Sequence, residues 1–283
     1  MNLIKSTKYH LEYAFLKSTR IFPSIFIAGF QKCGSSSIYY YLSQAESLVQ
    51  GKVKEKNNLS HEKLDLVDYL KNFPLKHNGG KTFCGSHQLT YFPKGLERLK
   101  ELVPDAKIVL IMRNPIDRAY SMYQHNCRYS DDGKKSFREW VDIELDILSS
   151  IKDIEDTKEI FEKTKWRNRP EGSWDMTFKL STGMNVSRGI YYNYIKIIKE
   201  LGLDFHPIIL ENLKKGFHTE MTMLFDFLEL DTNKVNKIKI ESQNIGGYKT
   251  QMDDKTRDIL CKFYKPHNDK LFELLQQKNP WIS

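Results

Sequence analysis

A chain of 283 residues, 40% hydrophobic and 28% charged, is long enough for one large α/β domain or two small ones and has the balance of an ordinary globular protein. Its 44 basic against 36 acidic residues leave a net charge of +8, which suits an anionic small molecule, an acidic glycan or nucleic acid, and equally a lysine-rich solvated surface. Cys33, Cys84, Cys127 and Cys261 stand far apart with no C-x-x-C pair, which argues against a disulfide framework or a cysteine-held metal and for a reducing compartment.

Residues 1–20 form an N-terminal segment broken by Lys5, Lys8, Glu12 and Lys17, so they lack the apolar stretch of a signal peptide. A short helix able to touch a membrane or a partner is expected there, in a cytoplasmic protein. The apolar run 21–30 is too short to span a bilayer, which takes about 20 residues. Residues 25–28 read as a buried strand ended by Gly29, and 35–44 as the helix that follows. The lysine-rich stretch GKVKEKNNLS at 51–60 reads as a loop, 60–73 as a helix, and 81–84 as a short strand after the Gly79-Gly80 break.

Residues 94–102 look helical, KIVLIM at 107–112 is the clearest interior strand, and Pro115 suits the first turn of a helix reaching about 126. An amphipathic stretch covers 136–150, and 152–184 is polar and irregular. A helix at 189–201, a strand at 205–210 and a helix at 218–228 follow. Gly246-Gly247 then precedes two helical stretches, 253–264 and 266–277. Strands alternating with helices predict an α/β fold: a P-loop-like central parallel sheet flanked by helices, in a single domain over 21–283.

The chemistry centres on FIAGFQKCGSSS. A phosphate-binding loop of the form G-x-x-x-x-G-K-[ST] has its lysine directly after the second glycine. Here Gly29 and Gly34 keep the spacing and Ser35 and Ser36 follow, but the lysine, Lys32, lies inside the loop. Backbone N–H groups at such a strand–loop–helix turn, with the helix dipole behind them, form an anion nest. P-loop phosphoryl transfer also needs a strand-end Asp to hold Mg²⁺. KIVLIM ends instead in Arg113-Asn114-Pro115, a cation in place of a cation holder. A nucleotide kinase is therefore the runner-up, and no metal is expected.

FIAGFQKCGSSS resembles the 5′-phosphosulfate loop of sulfotransferases that use 3′-phosphoadenosine 5′-phosphosulfate (PAPS). KIVLIMRNPIDRAYSMYQH is similar to their 3′-phosphate motif, R-[DN]-P-x-x-R-x-x-S-x-Y, through Arg113, Asn114, Pro115, Arg118, Ser121 and Tyr123. RGIYYNYIKIIKELG and FYKPHNDKLFELL add to the likeness, which points to the heparan-sulfate-type and bacterial carbohydrate branch and thins out between about 130 and 185.

The resemblance implies a PAPS-dependent sulfotransferase acting on a hydroxyl, or as second choice an amine, of a carbohydrate-containing acceptor, with no nucleic-acid partner. Gln31, Lys32, Cys33, Gly34, Ser35, Ser36 and Ser37 would hold the 5′-phosphosulfate, and Arg113 and Ser121 the 3′-phosphate. Arg118 is as well read as a structural residue. Arg188, Gly247 and Lys249 lie where relatives contact the donor. Lys32 would stabilise the leaving phosphate oxygen, and Glu55, beside Lys54, would be the base. His87 stands where the family shows a lysine or a small residue, and is a second base candidate. Trp166, Trp174 and the basic residues at 165–169 are candidates for an acceptor cleft or for packing. A non-catalytic nucleotide- or glycan-binding protein is the further alternative.

Overall fold

The computed structural model describes residues 2–61, 63–76, 79–129, 135–164, 185–241 and 251–281. The chain divides into two compact units: residues 1–29, 34–111 and 200–243 form the first, and 30–33, 112–199 and 244–283 the second.

The first unit is built on a five-stranded parallel sheet. Its strands are β1 (Ile25–Ile27), β2 (Leu48–Glu55), β3 (Lys81–Gly85), β4 (Lys107–Met112) and β5 (Asp204–Ile209), in the spatial order β2-β3-β1-β4-β5. Strands β1 and β4 are continuous apolar runs because both their faces are covered. Strand β1 pairs in parallel with β3 on one side and β4 on the other, with Phe26 opposite Cys84 and Ile108. The strand order reverses at β1, and in such sheets ligands usually bind outside the carboxyl ends of the strands at that point. The same unit contains α1 (Asn2–Thr19), α2 (Ser35–Leu42), α3 (Leu66–Lys71), α4 (Pro93–Leu102), α9 (Leu210–Lys215) and α10 (Phe217–Phe227). Helix α1 packs on α3 through Leu16, Val67 and Leu70.

The second unit is helical: α5 (Pro115–Tyr129), α6 (Phe137–Ser149), α7 (Thr157–Thr164), α8 (Tyr191–Glu200) and α11 (Asp254–Leu275). Its core gathers Ile116, Ala119, Phe137, Val141, Leu148 and Tyr264. A capping box between Ser136 and Glu139 starts α6.

Three expectations are corrected. The stretch read as irregular at 152–184 contains the helix α7. Half of the stretch read as a loop at 51–60, residues 51–55, belongs to β2, the edge strand. Its lysines made it look like a loop, but an edge strand exposes one face and carries charge that discourages further pairing. Asn72 meets its outer backbone, accepting from Lys52 N at 2.8 Å and, through Oδ1, from Val53 N at 2.9 Å. The two helical stretches expected at 253–277 are one helix, α11, with Pro266 inside it. Leu260 and Tyr264 before the proline and Leu271 and Phe272 after it are all buried, so packing outweighs the lost backbone bond. Among the described residues no helix is long and apolar enough to cross a membrane.

Candidate active site

The loop after β1 is shaped by what cannot fit beside it. A Cβ on Gly29 would stand 2.7 Å from Ile111 N and 2.9 Å from Ile111 O, so only glycine lets the chain leave β1 against β4. Phe30–Cys33 close a turn, Cys33 N donating to Phe30 O at 3.2 Å. Lys32 takes a left-handed φ of 69° and Gly34 one of 100°. For lysine this conformation costs about 1–2 kcal/mol. Helix α2 then begins with no side chain capping it, and Gly34 O accepts from Ser37 N at 3.0 Å. An uncapped helix start behind a left-handed turn fits the anion nest expected of the loop.

Within the first unit, the side chains of Lys54, Glu55 and His87 meet where β2 and β3 end. A register shift between Gln50 and Glu55 brings Glu55 opposite Gly85. A Cβ there would stand 3.1 Å from Glu55 Cγ. His87 Nδ1 lies 2.9 Å from Glu55 Oε2, and Lys54 Nζ lies 3.1 Å from Glu55 Oε1. Lys54 Nζ also donates to Ser36 Oγ at 2.7 Å, tying this group to the start of α2. The hydrogen bond from His87, and after it the charges of His87 and Lys54, hold the Glu55 carboxyl down at about 2 against the opposing effect of burial. The base candidates Glu55 and His87 are thus partners in one network.

The second unit contains the rest of the loop and the end of β4. Arg188 Nη1 donates to Gln31 Oε1 at 2.6 Å. Tyr191 OH donates to Arg113 O at 2.8 Å and lies 3.6 Å from the fully buried Cys33 Sγ. The Phe30 ring packs on Tyr191 at 4.3 Å between centroids. Arg113 is half-buried where β4 ends, and Ser121 is buried on α5. Arg118 is fully buried and donates to Asn185 O, which gives it a structural role. Gly247, Lys249, Trp166, Trp174 and the 165–169 cluster lie outside the described residues.

Three residues escaped the sequence reading. His125 follows Ser121 by one helical turn on α5. Burial first, then the charges of Lys32 and Arg128, pushes it down to about 4, so it is neutral at physiological pH. Tyr191 lay unassigned inside the stretch RGIYY. Glu144 is fully buried in α6 and accepts from Asn185 N, Val186 N, Ser187 N and Ser187 Oγ at 2.7–2.8 Å. Its signal was an acid at a position in the Phe137, Val141, Leu148 spacing where the core face of a helix calls for an apolar residue.

An α/β sheet with a glycine-bracketed anion loop after β1, and arginine rather than aspartate after β4, defines a protein built to grip an anionic nucleotide. The family of the Sulfotransferase domain matches residues 22–245, and the chain belongs to it. The fold is the family's P-loop-like one, and the chain is a transferase of the PAPS-dependent sulfotransferase family.

It is 24% identical over 275 residues to the bifunctional heparan sulfate N-deacetylase/N-sulfotransferase 1 of Xenopus laevis, covering 90% of this chain and 30% of the relative. It is 30% identical over 119 residues to the human bifunctional heparan sulfate N-deacetylase/N-sulfotransferase 2, covering 38% of this chain and 13% of the relative. The chain thus spans less than a third of the length of these curated relatives. Among solved structures, a sulfotransferase from Alicyclobacillus acidocaldarius matches with a TM-score of 0.66 at 22% identity, over 91% of this chain and 97% of that one. The mouse sulfotransferase SULT7A1 complexed with PAP matches with a TM-score of 0.50 at 14% identity, over 91% and 89%. Both show the shared fold.

Proposed function

We propose that the chain moves a sulfuryl group from PAPS to a hydroxyl or amine of a carbohydrate-containing acceptor. The observation that carries this reading is Lys32: a lysine inside the glycine-bracketed loop, in a left-handed turn, with β4 running into Arg113 instead of a metal-holding aspartate. The heparan sulfate N-sulfotransferase names of the relatives support a carbohydrate acceptor and favour the amine over the hydroxyl that the sequence reading put first. The four free cysteines accord with a cytoplasmic location.

In this reading Gln31, Lys32, Cys33, Gly34, Ser35, Ser36 and Ser37 keep the 5′-phosphosulfate role that the resemblance implies, Arg113 and Ser121 the 3′-phosphate role, and Arg188 its contact with the donor. Gly247 and Lys249 keep the donor role that the resemblance implies. A new S–O or S–N bond forms to the acceptor as the bond from sulfur to the phosphate oxygen breaks. Charge then builds on that oxygen, where the Lys32 ammonium stabilises it.

The acceptor proton needs a base. Glu55, held at about 2, is ionised at neutral pH but has little affinity for a proton. By accepting the Nδ1 proton of His87 it leaves the lone pair on Nε2, so His87 takes the acceptor proton and Glu55 stabilises the imidazolium. This reverses the order of the two base candidates read from the sequence.

The test is a thermal-shift comparison of adenosine 3′,5′-bisphosphate, ATP-Mg²⁺ and AMP. The bisphosphate is expected to stabilise most; stabilisation by ATP-Mg²⁺ without any by the bisphosphate would sink the proposal in favour of a kinase. Binding of the bisphosphate without turnover on any polysaccharide would favour the non-catalytic reading. Labelled-sulfate transfer to a polysaccharide with free glucosamine amines, set against the same polymer N-acetylated, separates amine from hydroxyl.

A further inference from the structure

We infer that Glu144 is a positioning residue for the donor: it locks the turn at 185–189 so that Arg188 and Tyr191 hold the phosphate loop and the end of β4. The inference rests on the sulfotransferase reading of that loop.

A carboxylate with no exposed surface is costly unless its lone pairs are filled. Glu144 meets that condition with three consecutive backbone N–H groups and a hydroxyl, all from residues 185–187. The carbonyls of the same turn are held from other sides: Arg118 donates to Asn185 O, and Tyr264 OH donates to Val186 O at 2.7 Å. A Cβ on Gly189 would stand 2.6 Å from Tyr264 OH and 2.9 Å from Pro115 Cβ, which leaves that residue no side chain and little movement. A turn of five residues clamped through donors, acceptors and sterics is far more fixed than a helix connection requires.

Its outputs lead to the donor motifs. Arg188, inside the turn, donates to Gln31 of the loop. Tyr191, at the start of α8, donates to Arg113 O and packs its hydroxyl against Cys33 Sγ. Gln31, Cys33 and Arg113 are all residues that the resemblance assigns to the donor. Glu144 touches none of them directly and acts through the turn.

The experiment is calorimetric titration of adenosine 3′,5′-bisphosphate into the full chain and its Glu144→Gln variant, with steady-state transfer kinetics on both. Glutamine keeps the shape but loses one acceptor and the charge. The bisphosphate Kd and the KM for PAPS are expected to rise about tenfold, the effect of losing a charged hydrogen-bond acceptor, while the acceptor KM stays unchanged. Combined with Arg188→Ala, the double variant should bind no more weakly than the weaker single one, because both changes remove the same support.

A variant that melts earlier yet binds the bisphosphate like wild type overturns the inference, as do strictly additive losses. If Glu144→Gln does not fold, Ser187→Ala removes one of the four bonds and carries the test: a two- to threefold rise in Kd supports the inference and no change overturns it. Failure of the wild-type chain to bind the bisphosphate overturns the sulfotransferase reading itself, and this inference with it.

Discussion

Two glutamates do opposite work in the two units. Glu55, at the end of β2, is about a third exposed and has side chains as partners, Lys54 and His87, which pull it down to about 2. Glu144, in the middle of α6, has no exposure and its partners are mostly backbone N–H groups, and there burial prevails and pushes it up. A carboxylate partnered by side chains near solvent is free to exchange partners with a substrate. One partnered by backbone in the dry interior fixes the chain around it. The first arrangement belongs to chemistry and the second to architecture.

The largest expected effects break the chemical side of this contrast. Lys32→Ala should lower kcat about 10²–10³-fold, the range for removing one donor to developing charge, and weaken bisphosphate binding much less. Equal losses in both measurements would make Lys32 a binding residue only. His87→Ala should lower kcat about 10²–10⁴-fold, the usual worth of a general base. Glu55→Gln should cost less, and adding it to His87→Ala should cost almost nothing more. A Glu55→Gln loss as large as that of His87→Ala, with the two adding in the double variant, would return the base role to Glu55.

Which parts of this were legible from the sequence follows from how local their signals are. Strands β1 and β4 could be read because an unbroken apolar run is a one-dimensional signal, and the loop between Gly29 and Gly34 because its spacing is fixed along the chain. The edge strand β2 could not, since its lysines reflect exposure and its pairing partner, β3, is remote in sequence. Pro266 suggested a break that tertiary packing along α11 overrides. Glu55 and His87 were each singled out, but their bond needs the register shift that sets Glu55 against Gly85. Glu144 carried only the faint mark of an acid on an apolar helix face.

The same contrast has a pH signature. The folded-state pKa of Glu55 lies below its unfolded value, so its contribution to stability is present above about 4.5 and is lost as pH falls towards about 2. Glu144 is shifted up, so between its unfolded and folded values the native state binds more protons and its contribution falls as pH rises. Thermal melts between pH 7 and pH 3 should show Glu55→Gln losing less stability on acidification than wild type. Glu144→Gln should lose as much as wild type or more. Parallel curves for all three proteins would mean that neither carboxylate has the environment described.

The smallest expected effects come from the two glycines that bracket the loop, and they differ for a physical reason. At Gly29 an added methyl meets the backbone of Ile111 inside the sheet, at 2.7 Å from N and 2.9 Å from O, and backbone in a parallel ladder cannot step aside. Gly29→Ala should cost about 1–3 kcal/mol, as overpacking does, and lower Tm by several degrees. At Gly34 the nearest atom is Leu210 Cδ1 at 3.2 Å, a side-chain tip that can rotate, so the cost is mainly that of holding alanine at a φ of 100°. That is about 1 kcal/mol, or roughly 2–4 °C in Tm. Gly34 also sets the direction of the first N–H groups of α2, so Gly34→Ala should weaken bisphosphate binding more than its small stability loss suggests. If Gly29→Ala weakens binding as much for each degree of Tm lost, the left-handed turn at Gly34 has no special part in holding the anion.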